Sequence, residues 1–167
     1  MSVRIEDNVR TAKGGVTCDG SSSETRNFHQ LTAGVLMERN VVTCRPSDIG
    51  RYIASQLTTL NVGMLPVVKT RGILVGLISE FDLLRALQEG RELDSVRAEE
   101  IMTREITAVQ EDAPVDEVIR LLERQHLLRV PVVLDEKLVG ILARRDILYG
   151  YLKATTPEWP SAPPFIP

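Results

Sequence analysis

The sequence predicts an α/β (α+β) fold assembled from two copies of one unit, and three observations carry that prediction. First, the chain repeats itself: Val62-Gly-Met-Leu-Pro-Val-Val68 followed by Gly76-Leu-Ile-Ser-Glu-Phe-Asp82 returns as Leu127-Leu-Arg-Val-Pro-Val-Val133 followed by Gly140-Ile-Leu-Ala-Arg-Arg-Asp146. Second, each copy alternates short runs rich in β-branched residues with stretches of helical periodicity. Third, a unit of about 60 residues is marginal alone, so two of them are expected to pack together and share a core. Aligning Pro66 with Pro131 also pairs Met37 with Met102, Ser47 with Asp112, Ile53 with Val118 and Leu57 with Leu122 without a gap. Beyond the prolines the second copy is one residue shorter, a difference that the turn between two strands absorbs.

Taken in order, residues 1–30 read as a flexible leader, because Gly14-Gly15, Gly20 and Ser21-Ser-Ser23 lack hydrophobic periodicity. The first repeat spans 31–90. Val41 to Cys44 is a short apolar strand, and Ser47 is a suitable N-cap for a helix whose Ile49, Ile53, Leu57 and Leu60 share a face. Leu65 to Val68 and Ile73 to Ile78 form a hairpin-like strand pair, and Asp82 opens a short helix that ends near Gly90. The second repeat, 91–153, follows the same plan. Ile106 to Val109 is its first strand, Asp112 its N-cap, and Pro114 sits where a missing N–H is tolerated. Val115, Val118, Ile119 and Leu122 make the apolar face of its helix. Val130 to Val133, Lys137 to Leu142 and the helix opened by Asp146 complete it. Residues 154–167, with Pro157, Pro160, Pro163, Pro164 and Pro167, read as an extended tail in which Trp159 and Phe165 can dock on a partner.

Composition excludes several classes. The 167 residues are 43% apolar and 26% charged, enough for an ordinary core. A net charge of -3, a pI near 5.5 and only 4% aromatics argue against nucleic-acid binding by phosphate neutralisation or base stacking. The longest uncharged stretch, Tyr52 to Val68, carries polar residues and Pro66, so no membrane span is expected. The charged start resembles no secretory signal, so a cytoplasmic protein is expected. Cys18 and Cys44 lie in unlike contexts and read as free thiols. His29 and His126 are too isolated for metal or acid–base work, and no nucleophile–base pair, carboxylate dyad or metal cluster is legible, so the protein is not expected to be an enzyme.

The duplicated order of motifs resembles a tandem pair of CBS domains, the module named after cystathionine beta-synthase and also called a Bateman module. The motifs are Leu36-Met37 and Ile101-Met102-Thr103, then Leu65-Pro66-Val67-Val68 and Val130-Pro131-Val132-Val133, then the two Gly-to-Asp segments. The resemblance covers nearly everything from 31 to 152. It implies two βαββα repeats related by pseudo-two-fold symmetry, with two clefts that in the family often hold adenine nucleotides or S-adenosylmethionine. It also implies homodimers, and a regulatory role toward another protein. No cofactor is required.

In such pairs each cleft combines the Ser/Thr-x-x-Asp segment of one repeat with the first strand of the other. Carried over, cleft A uses Ser79 and Asp82 with Ile106 to Val109, including Thr107 and Ala108. Cleft B uses Asp146 with Val41 to Thr43, including Val42. A helix-start carboxylate can accept bonds from ribose hydroxyls, and a nearby hydroxyl with the first helical N–H groups can meet a phosphate. Each of these Asp residues can equally be a simple N-cap, and Ser79 can cap the same helix.

The two clefts are unlike. Cleft B has Ala143 in place of the hydroxyl residue but carries Arg129, Arg144 and Arg145. A charge-assisted hydrogen bond contributes about 1.5 to 3 kcal/mol against about 1 for the neutral contact it replaces. AMP, ADP or ATP is therefore expected in cleft B, unless the arginines are solvated surface charges. Cleft A has Met64, Glu80 and Phe81 at the matching positions and suits an adenosyl ligand without phosphates, or none. The alternative is a ligand-free dimerisation or protein-interaction module.

Overall fold

A computed structural model describes residues 4–5 and 27–156. The Gly/Ser-rich stretch up to 26, Cys18, and the tail from Pro157 onward with Trp159 and Phe165 lie outside the described residues. The elements are β1 (Arg4–Ile5), α1 (Ala33–Leu36), α2 (Gly50–Thr59), β2 (Met64–Val68), β3 (Leu74–Ser79), α3 (Glu80–Gln88), α4 (Ala98–Ile101), β4 (Thr107–Gln110), α5 (Val115–Arg124), β5 (Arg129–Leu134), β6 (Lys137–Ala143) and α6 (Arg144–Thr155). β2 and β3 pair antiparallel, and a second sheet runs β1-β4-β5-β6. The two hairpins are copies: Met64 faces Ser79 as Arg129 faces Ala143, and each has a bulge near its turn.

The repeats exchange their lead-in segments. Glu38 forms an antiparallel bridge with Ile141 of the second repeat, through N–H···O bonds of 2.9 and 3.0 Å. Thr103 does the same to Leu77 of the first, at 2.8 and 2.9 Å. The cores follow this crossover. Ala33 and Met37 are buried with Val115, Val118, Val130 and Leu142, while Ala98 and Met102 are buried with Ile53, Leu57, Leu65 and Ile78. A third cluster, Leu74, Ile106, Ala108 and Val133, is drawn from both repeats. Neither unit closes its own core.

Three local expectations are corrected. Ser47 and Asp112 do not cap their helices, which begin later behind Ile49 and Pro114. Backbone carbonyls from other segments take the free N–H groups instead: Gly50 donates to Val96, Arg51 to Leu93 and Val115 to Leu31, at 2.8 to 3.1 Å. Ile49 and Leu60, expected on the buried face of α2, sit at its two ends and are partly exposed. The strand expected at Val41 to Cys44 is reduced to one bridge, Cys44 to Val67. Its counterpart β4 lies between β5 and β1, whereas the described residues place no strand on the outer side of Cys44.

The exchanged segments can cross so closely because a glycine faces each methionine. A Cβ on Gly76 would overlap the Met102 side chain, and one on Gly140 would overlap Met37 and lie 2.9 Å from the backbone oxygen of Glu38. Methionine can shift, but that carbonyl is fixed by its bond from Ile141. Gly140→Ala is therefore expected to lower stability by about 1 to 3 kcal/mol, and Gly76→Ala by less. Urea denaturation midpoints of the two variants check the order.

Candidate functional site

Each hairpin delivers its chain directly into a helix, and the third residue of that helix is an aspartate. Asp82 and Asp146 fold back to accept the N–H of Ser79 and Ala143 with Oδ2, at 2.7 and 2.8 Å. A carboxylate in the first turn also suits the positive end of the helix. The copies then part. The Ser79 hydroxyl donates to the same Asp82 oxygen at 2.7 Å, so it neither caps a helical N–H nor stands free for a phosphate. Asp82 is 8% exposed. Ala143 offers no hydroxyl, and Asp146 accepts one internal bond fewer and remains half-buried. Replacing serine by alanine thus leaves the second carboxylate more open to outside donors.

The three arginines lie on the elements that meet at Ala143, and among the described residues only Arg145 has a contact with the second carboxylate. Arg129 lies across the hairpin from Ala143 and is half-buried. The N–H of Arg144 bonds the carbonyl of Leu128 at 3.1 Å, and its Nε donates to Leu127 at 2.7 Å, which orients the guanidinium over the hairpin's entry. Arg145 Nε is 3.8 Å from Asp146 Oδ1, but its side chain is 89% exposed and the pair is loose. In the first repeat the equivalent places hold Met64, Glu80 and the exposed Phe81, with no cation among them.

The remaining residues expected in the clefts divide the same way. The lead-in bridges lay the segment before Val42 and Thr43 along β6, and the segment before Thr107 and Ala108 along β3. Val42 is exposed and Thr43 half-buried. Thr107 gives its hydroxyl to Gln125 at 2.7 Å, Ala108 is buried in the seam between the repeats, and β1 pairs parallel with both through Arg4–Ile5. The outer edge of the cleft A strand is therefore covered by the chain itself.

Cys44 takes no part in such chemistry. Burial first and Asp48 second push its thiol up to about 12, and its Sγ faces the Pro66 carbonyl at 3.8 Å. Among the described residues no group of three or more His, Cys, Asp or Glu side chains is placed to hold a metal ion. No described helix is long and apolar enough to cross a membrane. A cavity of about 1040 Å³ is lined by Thr43, Arg45, Lys69 and Arg71 among others. The cations in it carried no motif, and the signal that could have found them is the charge difference between the two hairpin turns.

A family model of the CBS domain matches residues 33–89 and 98–153. The chain belongs to the CBS-domain family. It is a tandem CBS pair, a regulatory module. The uncharacterized protein MK0525 of Methanopyrus kandleri is 32% identical over 135 residues, covering 78% of this chain and 69% of the relative. The L-aspartate semialdehyde sulfurtransferase of Methanocaldococcus jannaschii is 39% identical over 93 residues, 54% of this chain but 18% of that protein. Among solved structures, the CBS pair of protein MJ0100, in complex with 5′-methylthioadenosine and S-adenosyl-L-methionine, superposes with a TM-score of 0.63 at 30% identity, over 72% of this chain and 99% of that one. The AMP complex of CBSX2 gives 0.65 at 29%, over 73% and 96%. The expected α+β fold with duplicated CBS repeats is thus the observed one.

The Cys44 thiol, raised above its ordinary value of 9.0, favours the fold fully below that pH and loses this contribution as the pH rises toward 12. In a Cys18→Ser chain, Ellman's reagent at pH 8 is expected to label Cys44 only after urea unfolding. Rapid labelling of the native chain would contradict this placement.

Proposed function

We propose that this CBS pair is a sensor for a phosphorylated adenosine ligand of the AMP, ADP or ATP type, bound in cleft B. Asp146 holds the ribose hydroxyls, Arg129, Arg144 and Arg145 face the phosphates, and the backbone around Val42 and Thr43 meets the base. The observation that carries this reading is the contrast between the aspartates: Asp146 is half-buried with one internal donor, whereas Asp82 is buried with two. The complexes of the two similar CBS pairs, with AMP and with S-adenosylmethionine and methylthioadenosine, support the adenosyl class. Cleft A, formed by Ser79, Asp82, Thr107 and Ala108, stays closed in this reading because its carboxylate and strand edge are engaged within the chain.

The ligand state is passed, in the cytoplasm, to a partner protein through a homodimer. Support for the dimer comes from the outer faces of α3 and α6, where Phe81 is 77%, Leu84 57%, Leu148 65% and Tyr151 47% exposed, with Leu84 and Leu148 equivalent in the two repeats. A two-helix face repeated by symmetry suits an isologous contact. Support for a regulated partner comes from relatives such as the sulfurtransferase, in which the matching segment is a small part of a longer chain. The second reading, a ligand-free interaction module, draws on the internal saturation of Asp82.

A ligand that binds only the folded state raises the melting temperature by mass action. AMP, ADP or ATP is expected to do so in a thermal-shift panel that includes S-adenosylmethionine, and calorimetry is expected to show at least tenfold weaker nucleotide binding for Asp146→Ala. Unchanged affinity in that variant would sink the assignment, and no shift with any ligand would favour the interaction module. Light scattering is expected to find a dimer in the wild type and a monomer in the Leu84→Glu/Leu148→Glu chain.

A further inference from the structure

Because the module is duplicated, each surface of one repeat can be compared with its counterpart in the other. At the hairpin-turn end of the second repeat lies a cavity of about 610 Å³ lined by Gly34, Arg39, Glu111, Asp112, Asp135 and neighbours. Its single cation is engaged: Arg39 donates to Glu111 Oε1 at 2.9 Å and to the Gly34 carbonyl at 3.1 Å. Asp112 and Asp135 are left, so the lining is acidic.

The corresponding place in the first repeat has the opposite character. The cavity of about 1040 Å³ gathers Arg45, Lys69 and Arg71 against the carboxylates of Asp48 and Glu99. No side chain of these three cations has an ion pair or hydrogen bond among the described residues. Asp48 is tied to its own turn, accepting the Arg45 N–H at 2.8 Å. The hydroxyls of Thr43, Ser47, Thr70 and Tyr52 add donors around the same space.

The backbone holds these groups together. Cys44 N–H bonds the Pro66 carbonyl at 3.0 Å and Val68 N–H bonds the Cys44 carbonyl at 2.9 Å, which fixes Arg45 beside the strand that leads into Lys69. The turn carries Lys69, Thr70 and Arg71 where the shorter one in the second repeat carries Leu134, Asp135 and Glu136. Arg71 stands in the left-handed region at φ 67, followed by Gly72 at 78. Set against Asp48 and Glu99, the three exposed cations leave the cavity a net positive charge that attracts anions.

We propose that this cavity is an anion site for a compact oligophosphate, distinct from the Asp146 side of the nucleotide cleft. Three cations lining one cavity, with hydroxyls around them, match a small ligand bearing several charges. An extended polyanion would also have to approach a chain whose net charge is -3. The site is separate from cleft A: Asp82 follows Ser79, which pairs with Met64 at the far end of β2, about 13 Å along the strand from Val68. From cleft B the cavity shares Thr43, whereas Asp146 and the three arginines of that cleft belong to the other repeat.

The test is calorimetric titration of the full chain with inorganic pyrophosphate and tripolyphosphate, at low and at physiological salt. The expected result is saturable binding of tripolyphosphate that weakens with salt, falls at least tenfold in Lys69→Gln/Arg71→Gln, and persists in Arg144→Gln. These turn residues are exposed, and an unchanged melting temperature verifies that the double variant folds. Absence of saturable binding by the wild type, or equal affinity in the double variant, overturns the proposal. So does a loss confined to Arg144→Gln, which would place the anion in cleft B and support that assignment alone. A short single-stranded RNA that binds the same residues more tightly than tripolyphosphate would also overturn it. Failure of AMP to bind cleft B leaves this site unaffected.

Discussion

Everything in this molecule depends on the reciprocal crossing of the lead-in segments over the opposite hairpin. Met37 lies over Gly140 and Met102 over Gly76, and the bridges Glu38–Ile141 and Thr103–Leu77 tie each repeat's entry to the other's last strand. The exchange gives each half of the core its missing wall, so the two marginal units stand or fall together. It also decides where function can lie. By laying the approach to Val42 along β6 and the approach to Thr107 along β3, it makes each candidate cleft a joint product of both repeats.

Symmetry of the backbone does not carry over to the chemistry. One hydroxyl separates the two aspartates: Ser79 adds a second internal bond to Asp82, and Ala143 cannot do so for Asp146. A carboxylate already accepting two short bonds in a buried position has less to offer a ribose than one that is half-buried and accepts a single backbone N–H. β1 adds to the difference by covering the outer edge of β4, while Val42 stays exposed. The same divergence recurs at the hairpin turns, where one copy collects unpaired cations and the other carboxylates.

Much of this was legible in the residues. The Pro-Val-Val strands, the Gly-to-Asp segments and their duplication specified hairpins, helix starts and family, because strand and helix periodicities and helix-start carboxylates are local signals. What escaped was set by partners distant in sequence. Ser47 and Asp112 look like caps, yet the carbonyls of Val96, Leu93 and Leu31 fill that role. Val41 to Cys44 has strand composition, but without a second neighbour only Cys44 pairs. The loss of a hydroxyl at Ala143 was readable as a missing contact. That it frees a carboxylate depends on the direction of the Ser79 O–H, which only coordinates reveal.

The central claim is asymmetry: one cleft open to a nucleotide and one closed by the chain itself. Equilibrium dialysis of AMP against the full chain at saturating concentration measures it most directly. The account predicts one AMP per chain, retained when Asp82 is replaced by alanine. Two molecules per chain, or loss of the single one on replacing Asp82, would contradict it.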